Sequence, residues 1–89
     1  MTVRRRIRAH GRVQGVFFRD STRLQAQHRD VAGWVCNAAD GSVEAVFEGD
    51  LQDVEALVEL CRGGPGHASV ERLDVEEEAP EGLSGFEVR

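Results

Sequence analysis

Apolar and charged residues alternate along the first part of the chain. From Val3 to Val13 the odd positions are mostly apolar or glycine, with Arg5 as the exception, and every even position is arginine or histidine. An alternation with a period of two residues predicts a β-strand with one face buried against a core. The other face is then a single row formed by Arg4, Arg6, Arg8, His10 and Arg12.

This basic row has two interpretations. As a functional feature it is a strip that binds an anion. As a structural feature it pairs with acidic residues of a neighbouring strand, and Glu44 and Glu48 alternate in the required way. Opposite charges that face each other across strands stabilise a sheet, so we favour the structural interpretation. It predicts a solvated sheet face carrying ion pairs.

A first helix is expected from Asp20 to about Arg29, because this segment contains neither glycine nor proline. Its apolar face is thin, since Leu24 and Ala26 are its only plainly apolar residues. Asp20 or Ser21 is the candidate N-cap, because a short side-chain oxygen at this position accepts a hydrogen bond from the first unpaired amides.

A β-hairpin is expected after the first helix. Two short strand patterns, residues 31–37 and 42–48, are joined by a turn that contains Asp40-Gly41. This dipeptide favours the tight turns that join antiparallel strands. The hairpin is therefore the firmest local prediction.

The second helix has the clearest periodicity. Apolar residues recur at helical spacing from Leu51 to Cys61, behind Asp50 as a suitable N-cap, and the Gly-Gly-Pro run at 63–65 ends the helix. Further strands are expected over residues 69–76 and 86–88, with an acidic loop between them.

The order strand, helix, strand, strand, helix, strand is that of a split βαβ unit. We therefore predict the α+β class, as a ferredoxin-like sandwich with an antiparallel sheet and two helices on one of its faces. A chain of 89 residues is expected to form one domain over residues 1–89, and its size suits a monomer.

Charge and composition restrict the possible partners. Sixteen acidic residues against eleven basic ones give a formal charge of -5, which repels nucleic acid at long range. The longest uncharged apolar run, Val31 to Cys36, is too short to cross a bilayer, and no apolar segment follows the N-terminal arginines. We expect no nucleic-acid partner, no membrane partner and a cytoplasmic location.

Cysteines and histidines form no recognisable reactive pattern. Cys36 and Cys61 belong to no Cys-x-x-Cys pair, so free thiols are expected, with Cys36 as a small buried apolar residue. His10, His28 and His67 lack the spacing of metal ligands. No metal and no other cofactor is expected.

The stretch "GRVQGVFFR", residues 11–19, is the first candidate for chemistry. It leaves a strand and enters a helix, so several backbone amides without ladder partners can point into one space and attract an anion. Gly15 permits the turn, and Arg19 adds a planar fork of charged donors that suits a phosphate. The alternative, equally open on spacing alone, is that Val16, Phe17 and Phe18 simply supply core contacts.

The stretch "GWVCN", residues 33–37, is the second candidate. Asn37 stands at the end of a strand, and its amide offers the donor and the acceptor needed to hold a water molecule. Taken alone, asparagine at such a position more often shapes the turn. Trp34 is expected to pack rather than to bind a ligand.

Together these segments resemble the acylphosphatase family. The family pattern of Gly-x-Val-Gln-Gly-Val-x-Phe-Arg and a following Gly-Trp-Val-x-Asn strand is present as "GRVQGVFFR" and "GWVCN", with "DGSVEAVFEG" as the hairpin. Gly64-Pro65 and Phe86 extend the resemblance over nearly the whole chain. Two long motifs in the correct order make it specific.

The resemblance implies hydrolysis of a small acyl phosphate, a carboxyl-phosphate mixed anhydride, to a carboxylate and inorganic phosphate, without metal or covalent intermediate. It implies that Arg19 is catalytic and holds the phosphoryl group, and that Asn37 is catalytic and orients the attacking water. The loop residues whose amides join Arg19 in binding phosphate are Gly15, Val16, Phe17, Phe18 and Arg19 itself.

Two departures from the family pattern concern stability and rate. Many relatives have Leu-Gly-Leu or a similar sequence between the first helix and the second strand, where this chain has Arg29-Asp30-Val31. Because aspartate tolerates the left-handed conformation, we expect Asp30 to preserve the turn. Ala38 stands where many relatives have threonine or serine, which removes a hydroxyl beside Asn37.

Two other functions compete with hydrolysis. The same loop in a non-catalytic module would bind phosphate or a carboxylate ligand and regulate a partner. A ferredoxin-like sheet also reads RNA in some proteins, but it needs exposed aromatic side chains for stacking, and the first strand has none.

Overall fold

The computed structural model describes residues 1–89 and contains every element predicted above, with ends shifted by a few residues. The elements are β1 (Thr2–Arg12), α1 (Phe18–His28), β2 (Ala32–Asn37), β3 (Val43–Asp50), α2 (Leu51–Gly63), β4 (Ser69–Glu78) and β5 (Phe86–Val88). Neither helix is both long and apolar enough to span a membrane.

The five strands form one sheet in the order β4-β1-β3-β2-β5. The pairs β1 with β3, β1 with β4 and β2 with β3 are antiparallel, whereas β5 runs parallel to β2. The predicted α+β ferredoxin-like fold is confirmed, but the purely antiparallel sheet is wrong. After β4 the chain crosses to the opposite edge of the sheet before it enters β5, and such a crossover permits parallel pairing.

Both helices lie on one face of the sheet, and the core lies between them and the strands. Ile7 and Ala9 of β1 are fully buried, which confirms the alternation read from the sequence. Leu57 of α2 is buried in the same cluster, and the rings of Phe47 and Phe86 stack with their centroids 5.8 Å apart. These contacts fasten β5, the shortest strand, to the middle of the sheet.

The buried face of α1 differs from the one expected. Phe18, Thr22 and Ala26, spaced four residues apart, are buried, while Leu24 is 52% exposed. Of the two plainly apolar residues of this segment, only Ala26 therefore lies on the buried face. A four-residue spacing returns to the same side of a helix, and Thr22 completes that side although it is polar.

The ends of α1 also bear on the predictions. Its N-cap is Phe17, in the left-handed region at φ 65°, and no side chain caps the helix, so the prediction of Asp20 or Ser21 as the cap is wrong. The helix begins two residues earlier, and both side chains lie inside its first turn. At the other end Asp30 adopts φ 56°, which confirms that aspartate accepts the left-handed turn.

The predictions for the hairpin and for α2 are confirmed. β2 and β3 pair antiparallel around a turn in which Asp40 accepts bonds from the amide and hydroxyl of Ser42 at 2.9 and 2.6 Å. The Asp50 carboxylate caps α2 by accepting a bond from the amide of Gln52 at 3.3 Å, and Gly64 ends the helix at φ 85°.

The face of the sheet opposite the helices carries the basic row, in which Arg4, Arg6 and Arg8 pair with Glu48 or Glu44 as predicted. His10 contacts Asp74 instead. The face is not solvated along its whole length, however, because Arg4 and Glu48 are only 3% and 4% exposed. Residues 79–85, which we call the strap, lie over this end of the face. The Glu48 carboxylate accepts bonds from Arg4 and from the strap amides of residues 81–83. Because the strap covers this end of the face, the prediction of a solvated face is wrong at Arg4 and Glu48.

Trp34 and Cys36 lie on the same open face. The Trp34 ring packs against two guanidinium groups, with Arg6 5.5 Å and Arg89 4.9 Å from its centroid. Cys36 is partly exposed, so the prediction that it is buried is wrong, while Cys61 is fully buried in α2. Both thiols are free, as expected.

Candidate active site

The loop between β1 and α1 packs against the core on one side and is exposed to solvent on the other. Val13, Val16 and Phe18 are 1%, 5% and 1% exposed, so these side chains belong to the core. Phe17 is 68% exposed and points away from it. The core interpretation of the loop is therefore right for Val16 and Phe18 and wrong for Phe17. Anchored side chains on both sides of Phe17 hold the backbone between them in place.

The backbone of this loop reverses at two positions with positive φ. Gly15 adopts φ 72°, where glycine has no penalty, and no atom lies within 4 Å of the position its Cβ would take. Phe17 adopts φ 65°, a conformation that an L-residue with a bulky side chain rarely accepts. Strain of this kind persists where the surrounding structure enforces it, and it is concentrated at functional sites.

The amides of residues 15–19 have no acceptor within the protein. None of these five N–H groups donates to a backbone or side-chain oxygen. The N–H groups of Phe18 and Arg19 lie in the first turn of α1, where no intrahelical acceptor is available. This turn is also the positive end of the helix dipole. The loop thus presents consecutive donors at the positive end of a helix.

Arg19 is the half-buried guanidinium beside these amides. All eleven basic residues of the chain are arginines. Arg12 and Arg19 alone lack a carboxylate partner, and Arg12 is exposed at the end of β1. The nine that form ion pairs are Arg4, Arg5, Arg6, Arg8, Arg23, Arg29, Arg62, Arg72 and Arg89.

A cavity of about 510 Å³ opens over the loop and the first turns of α1. Four of the five predicted phosphate-binding residues line it, and Val16, which is buried, does not. The residues that line it are Gly15, Phe17, Phe18, Arg19, Asp20, Arg23 and Val88.

The segment after α2 supports the loop from the side. The amide of His67 donates to the Val16 carbonyl at 2.9 Å, and the rings of Phe17 and His67 meet edge to face at 6.0 Å. A Cβ on Gly66 would lie 2.5 Å from the Val16 carbonyl oxygen, so only glycine fits this contact. The bond from His67 occupies the Val16 carbonyl and ties the loop to the segment after α2.

Gln14 connects the loop to the β2–β3 hairpin, a role that the sequence reading missed. Its side-chain amide donates to the carbonyl oxygens of Ala38 and Ser42, both at 2.9 Å. The hairpin closes at the same place, where the Ala38 amide donates to the Ser42 carbonyl at 2.8 Å. The sequence did contain a signal for this role, because Gln14 carries a long polar side chain among apolar residues and glycines.

Asn37 is the last residue of β2, directly before the turn that Gln14 holds. Strand alternation puts it on the same side of the sheet as Val35, which is the side of the helices. Its side chain is exposed and forms no hydrogen bond to Arg19 or to the loop, and it does not line the cavity. The hairpin therefore contacts the loop through Gln14, and Asn37 is not among the residues that line the cavity.

The buried thiol near α1 is chemically inert. Burial raises the pKa of Cys61 to about 12, and the neighbouring Thr22 hydroxyl offsets this only in part. A thiol with this pKa stays protonated near neutral pH and is a poor nucleophile. No three His, Cys, Asp or Glu side chains meet in an arrangement that would hold a metal ion.

A sequence model of the family described as acylphosphatase matches residues 5–88. The chain belongs to the acylphosphatase family. An acylphosphatase from Rubrobacter xylanophilus is 58% identical over 89 residues, which cover 99% of this chain and 81% of that protein. An acylphosphatase from Haloarcula marismortui is 57% identical over 92% of this chain and 94% of its own.

Solved structures agree with the family assignment. An acylphosphatase from Coxiella burnetii superposes with a TM-score of 0.92 at 38% identity, covering 99% of this chain and 93% of its own. The expectation drawn from the two motifs is confirmed. As a member of this family the chain is a hydrolase of acid anhydrides, and its substrate is a small acyl phosphate.

Proposed function

We propose that Arg19 and the amides of residues 15–19 bind the phosphoryl group of an acyl phosphate and that Asn37 orients the water that attacks it. The observation that supports this most is the set of five amides without acceptors beside a guanidinium without a carboxylate. A doubly charged tetrahedral group offers several acceptor oxygens to these donors. No side chain of the protein does so.

Fixed donors suit this chemistry because phosphoryl transfer depends on positioning and on stabilising charge. Arg19 donates through a planar fork that matches two phosphoryl oxygens, and loop amides reach the remaining oxygens. The Gln14 bonds and the Val16 carbonyl bond hold the donors in place before substrate arrives. Little reorganisation is then needed when charge develops in the transition state.

Asn37 suits the water-orienting role because its amide accepts one hydrogen bond and donates others. A water held by the carboxamide oxygen directs a lone pair at phosphorus. The exposed side chain has no competing partner within the protein, and the turn behind it is fixed by Gln14.

The reaction is a displacement at phosphorus. A water oxygen forms a bond to phosphorus while the bond between phosphorus and the bridging acyl oxygen breaks, and the bond electrons leave with the carboxylate. The water proton passes to a phosphoryl oxygen, so inorganic phosphate is the second product. A carboxylate is a good leaving group and needs no general acid. Arg19 and the amides neutralise the phosphoryl charge, so the proposed step uses no metal ion.

Steady-state hydrolysis of benzoyl phosphate in excess chelator tests the assignment. Arg19→Ala is expected to lower kcat/KM at least about a hundredfold, because a fixed donor to the charge that develops on the phosphoryl group contributes about 3 kcal/mol or more. Asn37→Ala is expected to lower kcat by a similar factor with a smaller effect on KM. Arg12→Ala removes the other arginine without a carboxylate partner and serves as the matched control.

Three results of this experiment would each contradict a different part of the proposal. Wild-type turnover in both the Arg19 and Asn37 variants would refute the site. An equal loss in Arg12→Ala would mean that general positive charge, rather than the position of Arg19, is responsible. Loss of wild-type activity in chelator, restored by a divalent cation, would contradict the metal-free step.

A further inference from the structure

The cavity over the loop is larger than a phosphoryl group needs. Its lining includes Gly15, Phe18 and Arg19, which belong to the proposed phosphoryl site. It also includes Phe17, Val88 of β5, and the pair Asp20 and Arg23 on α1. These further residues are available to contact whatever is attached to the phosphoryl group.

Two uncovered apolar side chains line this cavity. Phe17 is 68% exposed and Val88 is 39% exposed, although both are large and apolar. The other exposed large apolar residues, Met1, Leu24 and Val75, do not line the cavity. Apolar side chains left uncovered at the wall of a cavity gain free energy when an apolar ligand group covers them.

The charged part of this wall is already neutralised. Arg23 donates to the Asp20 carboxylate at 2.7 Å and contacts the Gln27 side-chain oxygen at 3.4 Å. Its charge is therefore not free to attract a second anionic group of the substrate. Arg19 is the one unpaired cation of the cavity, and the proposed function assigns it to the phosphoryl group.

Val88 is held at this wall by strand pairing. It lies opposite Val35 in the parallel pair of β5 and β2, and the next residue, Arg89, donates its amide to the Val35 carbonyl at 2.8 Å. Phe17 is held by its left-handed backbone between two buried neighbours. Both apolar groups are thus presented by fixed backbone, as a specificity pocket requires.

We propose that Phe17 and Val88 form the acyl subsite and that the preferred substrates are phosphates of apolar, uncharged acyl groups, aromatic or branched aliphatic. The inference rests on the proposed function, because it takes Arg19 and the loop amides as the phosphoryl end of the same site. Phe17 contributes its amide to the phosphoryl group and its ring to the acyl group. Val88 is a specificity-determining residue only.

The test compares kcat/KM for benzoyl phosphate, acetyl phosphate and succinyl phosphate, whose acyl group carries a carboxylate. Wild type is expected to prefer benzoyl phosphate. Phe17→Ala and Val88→Ala are each expected to lower the benzoyl-to-acetyl ratio by roughly three- to tenfold, because a half-open apolar contact discriminates less than a closed pocket. Comparing ratios between variants cancels the intrinsic reactivity of the substrates.

Val75→Ala is the matched control, since Val75 has the same 39% exposure as Val88 and lies on β4, away from the cavity. Its ratio should equal that of wild type. Thermal unfolding of each variant checks that it is folded, and the ratio of inhibition constants for phenylphosphonate and methylphosphonate gives a readout that does not depend on turnover. That ratio should move towards one in Val88→Ala.

An unchanged ratio in both subsite variants overturns the acyl subsite, as does a wild-type preference for succinyl phosphate. A different result would refute the proposed function. Arg19→Ala should slow hydrolysis of all three substrates and leave their ratio as it was, so full activity in Arg19→Ala rejects the phosphoryl site whatever the ratio does.

Discussion

At the scale of single residues, the loop depends on a close approach of two backbones. Gly66 lies against the carbonyl oxygens of Val16 and Phe17, and a Cβ there would stand 2.5 and 2.9 Å from them. Backbone atoms cannot turn aside as a flexible side chain can. An added methyl group must therefore displace the loop that carries the unpaired amides.

Gly66→Ala is expected to raise KM for acyl phosphates and to weaken inhibition by inorganic phosphate by about tenfold or more, because small misplacements of a phosphate site are costly. Kinetics with phosphate as inhibitor measure this. Gly82→Ala is the control, since Gly82 also has positive φ, 80° against 66°, but open space around it. Equal effects in the two variants would mean that backbone strain alone, not displacement of the loop, is responsible.

The residues of the site differ in how far their sequence reveals them. Gly15 and Arg19 were predicted because a turn requires conformational freedom and an anion requires charge, and both are properties of the residue itself. Val88 and Gln14 were missed because their roles depend on register between distant segments. The left-handed Phe17 could not be predicted, since surrounding contacts impose a conformation against its own preference.

At the scale of elements, a buried ionic cluster fastens the strap to the sheet. Glu48 of β3 accepts bonds from the amides of residues 81–83 at 3.1, 2.6 and 3.2 Å and from Arg4 at 3.1 Å. Burial alone would raise the pKa of Glu48, but the strap amides and Arg4 outweigh it and lower that pKa below 4.5. Hydrogen bonds from Arg6 and Arg4 lower the pKa of Glu78 as well.

A carboxylate with a lowered pKa in the folded state stabilises the fold fully above its ordinary value of 4.5 and loses this contribution as pH falls through the lowered value. Glu48→Gln is therefore expected to lower the free energy of unfolding by about 3 kcal/mol at pH 7, because it leaves a buried guanidinium without one partner. The difference from wild type should shrink as pH falls below 4.5.

Urea unfolding of wild type and Glu48→Gln at a series of pH values measures this difference. Glu55→Gln, an exposed glutamate of α2 without an ion pair, provides the control and should behave as wild type. A difference between wild type and Glu48→Gln that stays constant into acid would show that the ionised form of Glu48 does not hold the strap.

The elements themselves were largely predictable, and their errors have physical causes. The hairpin and α2 were found because turn chemistry and periodicity act locally. The start of α1 was misjudged because its cap is a strained backbone rather than a side chain. The parallel pairing of β5 was not predicted, because it depends on the strap leading the chain to the opposite edge of the sheet. No local sequence pattern indicates which edge the chain reaches.

At the scale of the whole molecule, charge is distributed unevenly despite the net value of -5. On the sheet face opposite the helices, Arg4, Arg6 and Arg8 pair with glutamates, so these charges compensate one another. The cavity at the loop contains one acid, Asp20, which is paired with Arg23, so Arg19 has no carboxylate partner there. Under the proposed function, this unpaired guanidinium attracts an anion to an otherwise acidic protein.

The most direct test of the phosphoryl site is a titration of the protein with inorganic phosphate, followed by amide ¹H–¹⁵N NMR spectra. The amides of residues 15–19 should shift together and saturate with one dissociation constant, and Arg19→Ala should weaken binding by about tenfold or more. The amides of residues 81–83, which already donate to Glu48, should not move. Phosphate-dependent shifts that are absent from 15–19, or centred elsewhere on the molecule, would contradict the account.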